Sequence, residues 1–249
     1  MWEYCISVDQ NNTQLTKYIT EKLTEFSKQY DYVVTKLEQL NKTQILVACN
    51  NLEKNRLILC LQDIIDECIC YYFKKEFLLN NLTLKLSDSI TKQAFISALL
   101  FFDKDTDRYI VNKYLDIDKK IDLYGFFNFK LSSLRQKWQE LTSIANENQV
   151  YLYSDETFIE LIKFLVDNIE IKSDVINIMS TKESYSLFDS KFDVVGQASE
   201  MSDEKLVDTL IALCPKNINI YCSDKLSVGL KNLICKLFEK RVRFLSGSC

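Results

Sequence analysis

Four glycines and one proline in 249 residues constrain this chain more than any motif it carries. Globular sequences average about 7% Gly and 5% Pro. Those two residues supply most tight turns and strained loops, so few of either are available here. Long helices joined by polar turns of Asn, Asp, Ser and Lys are the economical alternative. The first glycine, Gly125, stands inside a cluster of rings, YGFFNF from Tyr124 to Phe129. That stretch is either a packed junction or a working surface.

Other bulk properties narrow the class. Hydrophobic residues at 47% and charged residues at 27% are ordinary globular values and exclude a disordered chain. The length allows one large core or two modest ones. A net charge of −4 argues against a protein that coats nucleic acid, which needs a concentrated excess of Lys and Arg. The N-terminal MWEYCISVDQ has neither the basic start nor the apolar stretch of a secretion signal. The longest apolar run, AFISALLFF at Ala94–Phe102, has nine residues against the roughly 20 a bilayer requires. A soluble, cytoplasmic protein without membrane insertion is the expectation. The nine cysteines, odd in number and irregular in spacing, read as reduced thiols, most of them buried as small hydrophobes.

Periodicity along the chain predicts an α+β fold in three regions. Residues 1–52 read as a small β-α-β-β unit: a strand over 2–8, a helix over 14–28, then two strands joined by NKT. Residues 53–172 form a helical centre, with apolar positions spaced three and four apart from Leu57 to Tyr72. Further helices are predicted over 88–101, 106–116, 128–146 and 156–170, the last with a stripe of Phe158, Leu161, Ile162, Leu165, Val166 and Ile169. Residues 173–249 read as a C-terminal α/β unit. VINIMS and YSLFD make a hairpin, FDVV adds a possible third strand, and Ser202 with Asp203 and Glu204 opens a helix that stops at Pro215. NINIYC, the following helix and RVRFLS then form a parallel strand-helix-strand.

Chemistry is bounded mainly by what the sequence lacks. The chain has no histidine, which removes Ser-His-Asp and Cys-His nucleophilic sites and histidine-based metal sites. Four scattered glycines make neither a Walker loop nor a GxGxxG turn. DKDTDRY, at Asp103–Tyr109, alternates like a calcium loop but has Arg108 and Tyr114 where that loop needs Gly and Glu. Its acids read instead as residues at the start of a helix. No metal and no cofactor is therefore expected.

Three groups remain as candidate sites. The ring segment has two readings: Gly125 permits a positive φ or a close ring approach while Phe126 and Phe129 pack inward one turn apart, or Phe126, Asn128, Phe129 and Lys130 form a partly exposed candidate surface for a partner protein. Cys222, Ser223 and Asp224 stand at a strand-helix corner, where a helix N-terminus can stabilise a thiolate or a small ligand; the plainer reading makes Ser223 and Asp224 helix caps. Lys240, Arg241 and Arg243 form a small basic knot, which the helix dipole explains without nucleic acid.

YGFFNFKL followed by YSDETFIELIKFLVDN resembles the paired segments of the YtxC-like family of sporulation proteins. The matching positions are Gly125, Phe126, Phe129 and Leu131, then Tyr153, Phe158, Ile159, Leu161, Phe164, Val166 and Asp167. The ending, PKNINIY with LFEKRVRF and the terminal Cys249, is also similar. Lys130 stands where the family usually carries Arg, and histidines expected near Asn177 and Tyr221 are replaced. The resemblance implies a link to endospore formation and no established reaction. Together these readings predict a non-enzymatic interaction or regulatory protein, with a thiol-dependent enzyme or small-ligand binder at Cys222 as the alternative.

Overall fold

The computed structural model describes residues 1–83, 88–118, 120–147, 155–180, 184–195 and 201–245. They fall into two compact units, Met1–Asn81 with Lys104–Thr142 and Leu82–Asp103 with Ser143–Cys249. The fold is α+β, with a four-stranded mixed sheet in each unit.

In the first unit, β1 (Trp2–Asp9), α1 (Thr13–Ser27), β2 (Tyr32–Gln39) and β3 (Lys42–Cys49) follow the expected β-α-β-β order. Alternation puts Tyr4, Ile6 and Val8 of β1 in the core. Helix α1 covers them with Leu15, Ile19 and Leu23, and Asn12 caps it by accepting the Leu15 N–H at 3.1 Å. Helix α2 (Lys54–Glu67) buries Leu57, Leu61, Ile64 and Ile65, the predicted stripe. It runs through a π-helical turn, Cys68–Phe73, into α3 (Lys74–Asn81). The next helix, α4 (Ser89–Phe101), belongs to the second unit, and the chain returns with α5 (Lys104–Tyr114). The helical centre thus contributes to both units.

Strand β4 (Ile121–Asp122) then pairs parallel to β1, Ile6 opposite Ile121, and completes the sheet order β2-β3-β1-β4. Two residues have no periodicity, so the strand left no trace in the sequence pattern. It leads directly into α6 (Leu123–Lys130), which breaks at Leu131 before α7 (Ser132–Glu147). The single helix predicted from 128 is therefore two, because buried Leu131 leaves helical geometry at φ −103°, ψ 38°.

The second unit is built on β5 (Val175–Ser180), β6 (Tyr185–Phe188), β7 (Asn217–Tyr221) and β8 (Val242–Leu245), in the order β6-β5-β7-β8. The β5–β6 hairpin is antiparallel and β7–β8 is parallel, as the strand-helix-strand pattern required, and β5–β7 is a second parallel pair. FDVV contributes only an isolated bridge between Phe188 and Val194. Among the described residues, α4, α8 (Asp155–Asp167), α9 (Asp203–Leu213) and α10 (Val228–Phe238) belong to this unit. The apolar run of α4 is buried from Ala94 to Phe101, and the helix lies against α8 and α9. No described helix is long and apolar enough to cross a membrane.

Glycine scarcity leaves a visible mark on the backbone. Left-handed corners fall instead to Asn41, Asp103, Phe192, Cys214, Cys222 and Glu239, with φ between 38° and 66°. Such a conformation costs an ordinary L-residue on the order of 1–2 kcal/mol.

Candidate functional site

Asp122 organises the ring cluster. Its Oδ1 accepts the Gly125 N–H at 2.7 Å and so caps α6, while its Oδ2 pairs with the Lys42 ammonium. A Cβ on Gly125 would lie 3.2 Å from Asp122 Oδ1, and the residue does not occupy a left-handed conformation. The expected positive φ or close ring approach is thus replaced by the close approach of a capping carboxylate.

Helix α6 buries Leu123, Phe126 and Phe127. The Phe127 ring lies 4.9 Å from Phe73 and 5.7 Å from Trp138, centroid to centroid. Phe129, by contrast, is 83% exposed. The inward pair is therefore Phe126 with Phe127, and the expected inward packing of Phe129 is corrected. Asn128 is held at the helix surface, its Nδ2 donating to the Tyr124 carbonyl at 3.0 Å and its own carbonyl accepting from Arg135 Nη2 at 2.8 Å. Lys130 is exposed in the last turn of α6, where its charge complements the helix dipole.

An open groove of about 620 Å³ runs beside Phe126, Phe129 and Lys130, continuing past Tyr114 and Ile121. Lys113, Lys120 and Lys130 line it against Asp116 and Asp122, and Asp122 is already paired with Lys42. The groove therefore combines exposed rings with a positive surplus.

The other two candidates are placed differently. Cys222 follows β7 in a left-handed conformation and carries a disulfide bond, so its sulfur is not a free thiol as the sequence reading expected. Ser223 and Asp224 lie in a 3₁₀ turn, Ser223–Lys225, and the cap of α10 is Ser227, which accepts the Leu230 N–H at 3.2 Å. In the basic knot, Arg241 is engaged by Asp167 at 3.0 Å and donates to the Cys214 sulfur at 3.4 Å. Lys240 and Arg243 are exposed.

The YtxC-like family model matches residues 54–243. The chain belongs to the YtxC-like family. Comparison with curated proteins and with solved structures gave no match. The part of this YtxC-like protein that matches the family includes α6, the lysine groove from Lys113 to Lys130 and the C-terminal sheet as far as the first half of β8. Tyr153 and Cys249, two positions of the resemblance, lie outside the described residues.

Two features of this YtxC-like protein escaped the sequence reading. Asp107 does not merely sit at the start of α5 but is fully buried. Its Oδ2 accepts from Lys74 Nζ at 2.7 Å and from Trp138 Nε1 at 3.2 Å, and its Oδ1 from Lys137 Nζ at 2.9 Å. Burial lowers the Lys74 pKa, and the neighbouring Asp107 opposes that shift. Beside this cluster, burial raises the Asp66 pKa, against the lowering effect of Asn112 and Arg108, and Asp66 Oδ1 has no hydrogen-bond partner. The second feature is a polar depression of about 500 Å³ at the start of α1, lined by Asp9, Gln10, Asn11, Asn12, Asn41 and Glu76. Its lining supplies amides and carboxylates, which suit hydrogen bonding to a polar group.

Proposed function

We propose that this YtxC-like protein is sporulation-associated and acts without catalysis, by holding another protein in the groove formed by Tyr114, Phe126, Phe129 and Lys130, with Asn128 on the same short helix. The observation that carries the reading is Phe129, a ring kept in water by a short helix whose neighbouring rings Phe126 and Phe127 are locked in the core. A solvated phenylalanine on a rigid support loses little entropy on binding and resembles the aromatic anchors of protein interfaces. Three lysines around it favour an acidic partner segment that also offers an apolar side chain. The link to sporulation rests on the family resemblance.

Affinity capture from sporulating cells, with wild type and Phe129→Ala in parallel, tests the proposal. A partner retained by the wild type and weakened about tenfold or more by the variant supports it. A partner retained equally by both moves the interface elsewhere.

A further inference from the structure

The outer edge of β2 supports an inference independent of the groove. β2 ends its sheet, and it pairs with β3 in unbroken register from Tyr32–Cys49 to Gln39–Lys42. Proline, a bulge, a very short strand or an inward-facing charge usually protects such an edge; over its eight residues β2 has only the last, Lys36 and Glu38, which neutralise each other as an ion pair. Val33 and Leu37, on one face of β2, are 64% and 45% exposed, and Leu40 in the turn is 96% exposed.

The free hydrogen-bonding groups on this edge follow from one observed bond. Gln10 N–H donates to the Asn41 carbonyl at 3.0 Å, which turns Asn41 toward β1. Alternation along β3 then turns Lys42, Gln44, Leu46 and Ala48 toward β2, where their partners are Gln39, Leu37, Thr35 and Val33. The N–H and C=O groups of Val34, Lys36 and Glu38 consequently face away from the sheet.

We propose that β2 pairs antiparallel with β2 of a second copy of this chain, about a two-fold axis at Leu37, joining the two sheets into one. Self-complementary charge selects this partner. Lys36 Nζ lies 2.8 Å from Glu38 Oε1 of its own chain, two residues along the same face. The two-fold sets Lys36 against Glu38 of the second copy, and Glu38 against its Lys36, at the hydrogen-bonded positions. Leu37 meets its own counterpart at the closer, non-hydrogen-bonded position, and Val34 meets Leu40. A two-fold centred on Thr35 would instead place Lys36 opposite Val34 and leave both charges unmatched.

Light scattering of the full chain across the micromolar range tests this. The wild type rises with concentration toward twice the chain mass. Lys36→Glu sets like charges against each other and weakens the dimer at least tenfold, and the exchange Lys36→Glu with Glu38→Lys restores it. Lys36→Pro removes an N–H that the sheet itself does not use, so it gives a monomer with an unchanged circular dichroism spectrum. A wild type that stays monomeric overturns the proposal in favour of a bare edge or a strand from a different protein. A dimer that survives Lys36→Pro overturns it as well, and so does a charge exchange that fails to restore association.

Discussion

The two units solve the same problem, a four-stranded sheet covered by helices, with different buried polar groups. In the first unit the buried polar residues include three that ionise: Asp66, Lys74 and Asp107. In the second, the described buried polar residues are neutral: Ser97, Asn177 and Ser180. Asn177 accepts from Asn219 at 2.9 Å and donates to the Asp189 carbonyl at 2.8 Å, so its amide is paired on both sides. A buried amide risks one or two hydrogen bonds, whereas a buried carboxylate risks a whole charge. The first unit is thus the one in which a single substitution is most damaging.

The sharpest way to break that comparison is at Asp107. Replacing it with Ala removes the buried carboxylate that Lys74, Lys137 and Trp138 share, and the expected loss is about 3–5 kcal/mol in urea unfolding. The double change Lys74→Met with Asp107→Leu recovers most of this, because packed apolar groups replace an ion pair at little net cost. If Asp107→Ala proved as mild as a surface change, the ionic core would have no energetic weight. Asn177→Ala, the matching test in the second unit, is expected to cost about 1–3 kcal/mol by leaving its two partners unsatisfied.

Acidity offers a gentler contrast. Asp66 holds its proton more tightly when folded than when unfolded, since burial raises its pKa. Its contribution to stability is therefore fully present below the ordinary carboxylate pKa and is lost as pH rises through the elevated folded value. Asp66→Asn removes that dependence. The variant is expected to gain on the wild type between mildly acidic and neutral pH, read as the difference in melting temperature. A constant difference across that range would place the Asp66 pKa at its unperturbed value.

The smallest expected effects compare two helical glycines. A Cβ at Gly229 of α10 meets nothing within 4 Å, so Gly229→Ala should stabilise by about 0.5–1 kcal/mol through helix propensity. A Cβ at Gly125 meets Asp122 Oδ1, which Lys42 and the Gly125 N–H hold in place. Gly125→Ala should therefore bring no gain, as thermal unfolding of both variants will record.

Legibility followed how local each signal was. The β-α-β-β start, the stripe of α2, the hairpin and the parallel strands are written in periods of two or 3.6, and all are present. In the sequence Asp107 looks like a helix-start acid, because it does stand in the first turn of α5. A carboxylate that caps and one that anchors a core look alike when the partner lysine is 33 residues away. The sequence pattern does not place Phe129, because α6 is only eight residues long, too short for periodicity to fix which rings face inward. The exposed ring that carries the functional proposal thus emerged only once the break at Leu131 set the helix's orientation.

The direct test of the partner groove is a photo-crosslinking amino acid placed at position 129 in sporulating cells, with exposed Tyr109 as the control position. A discrete adduct from 129 that is absent from 109, and that fades when Lys113, Lys120 and Lys130 are changed to Ala, is the predicted result. Equal or absent labelling at the two positions would contradict it.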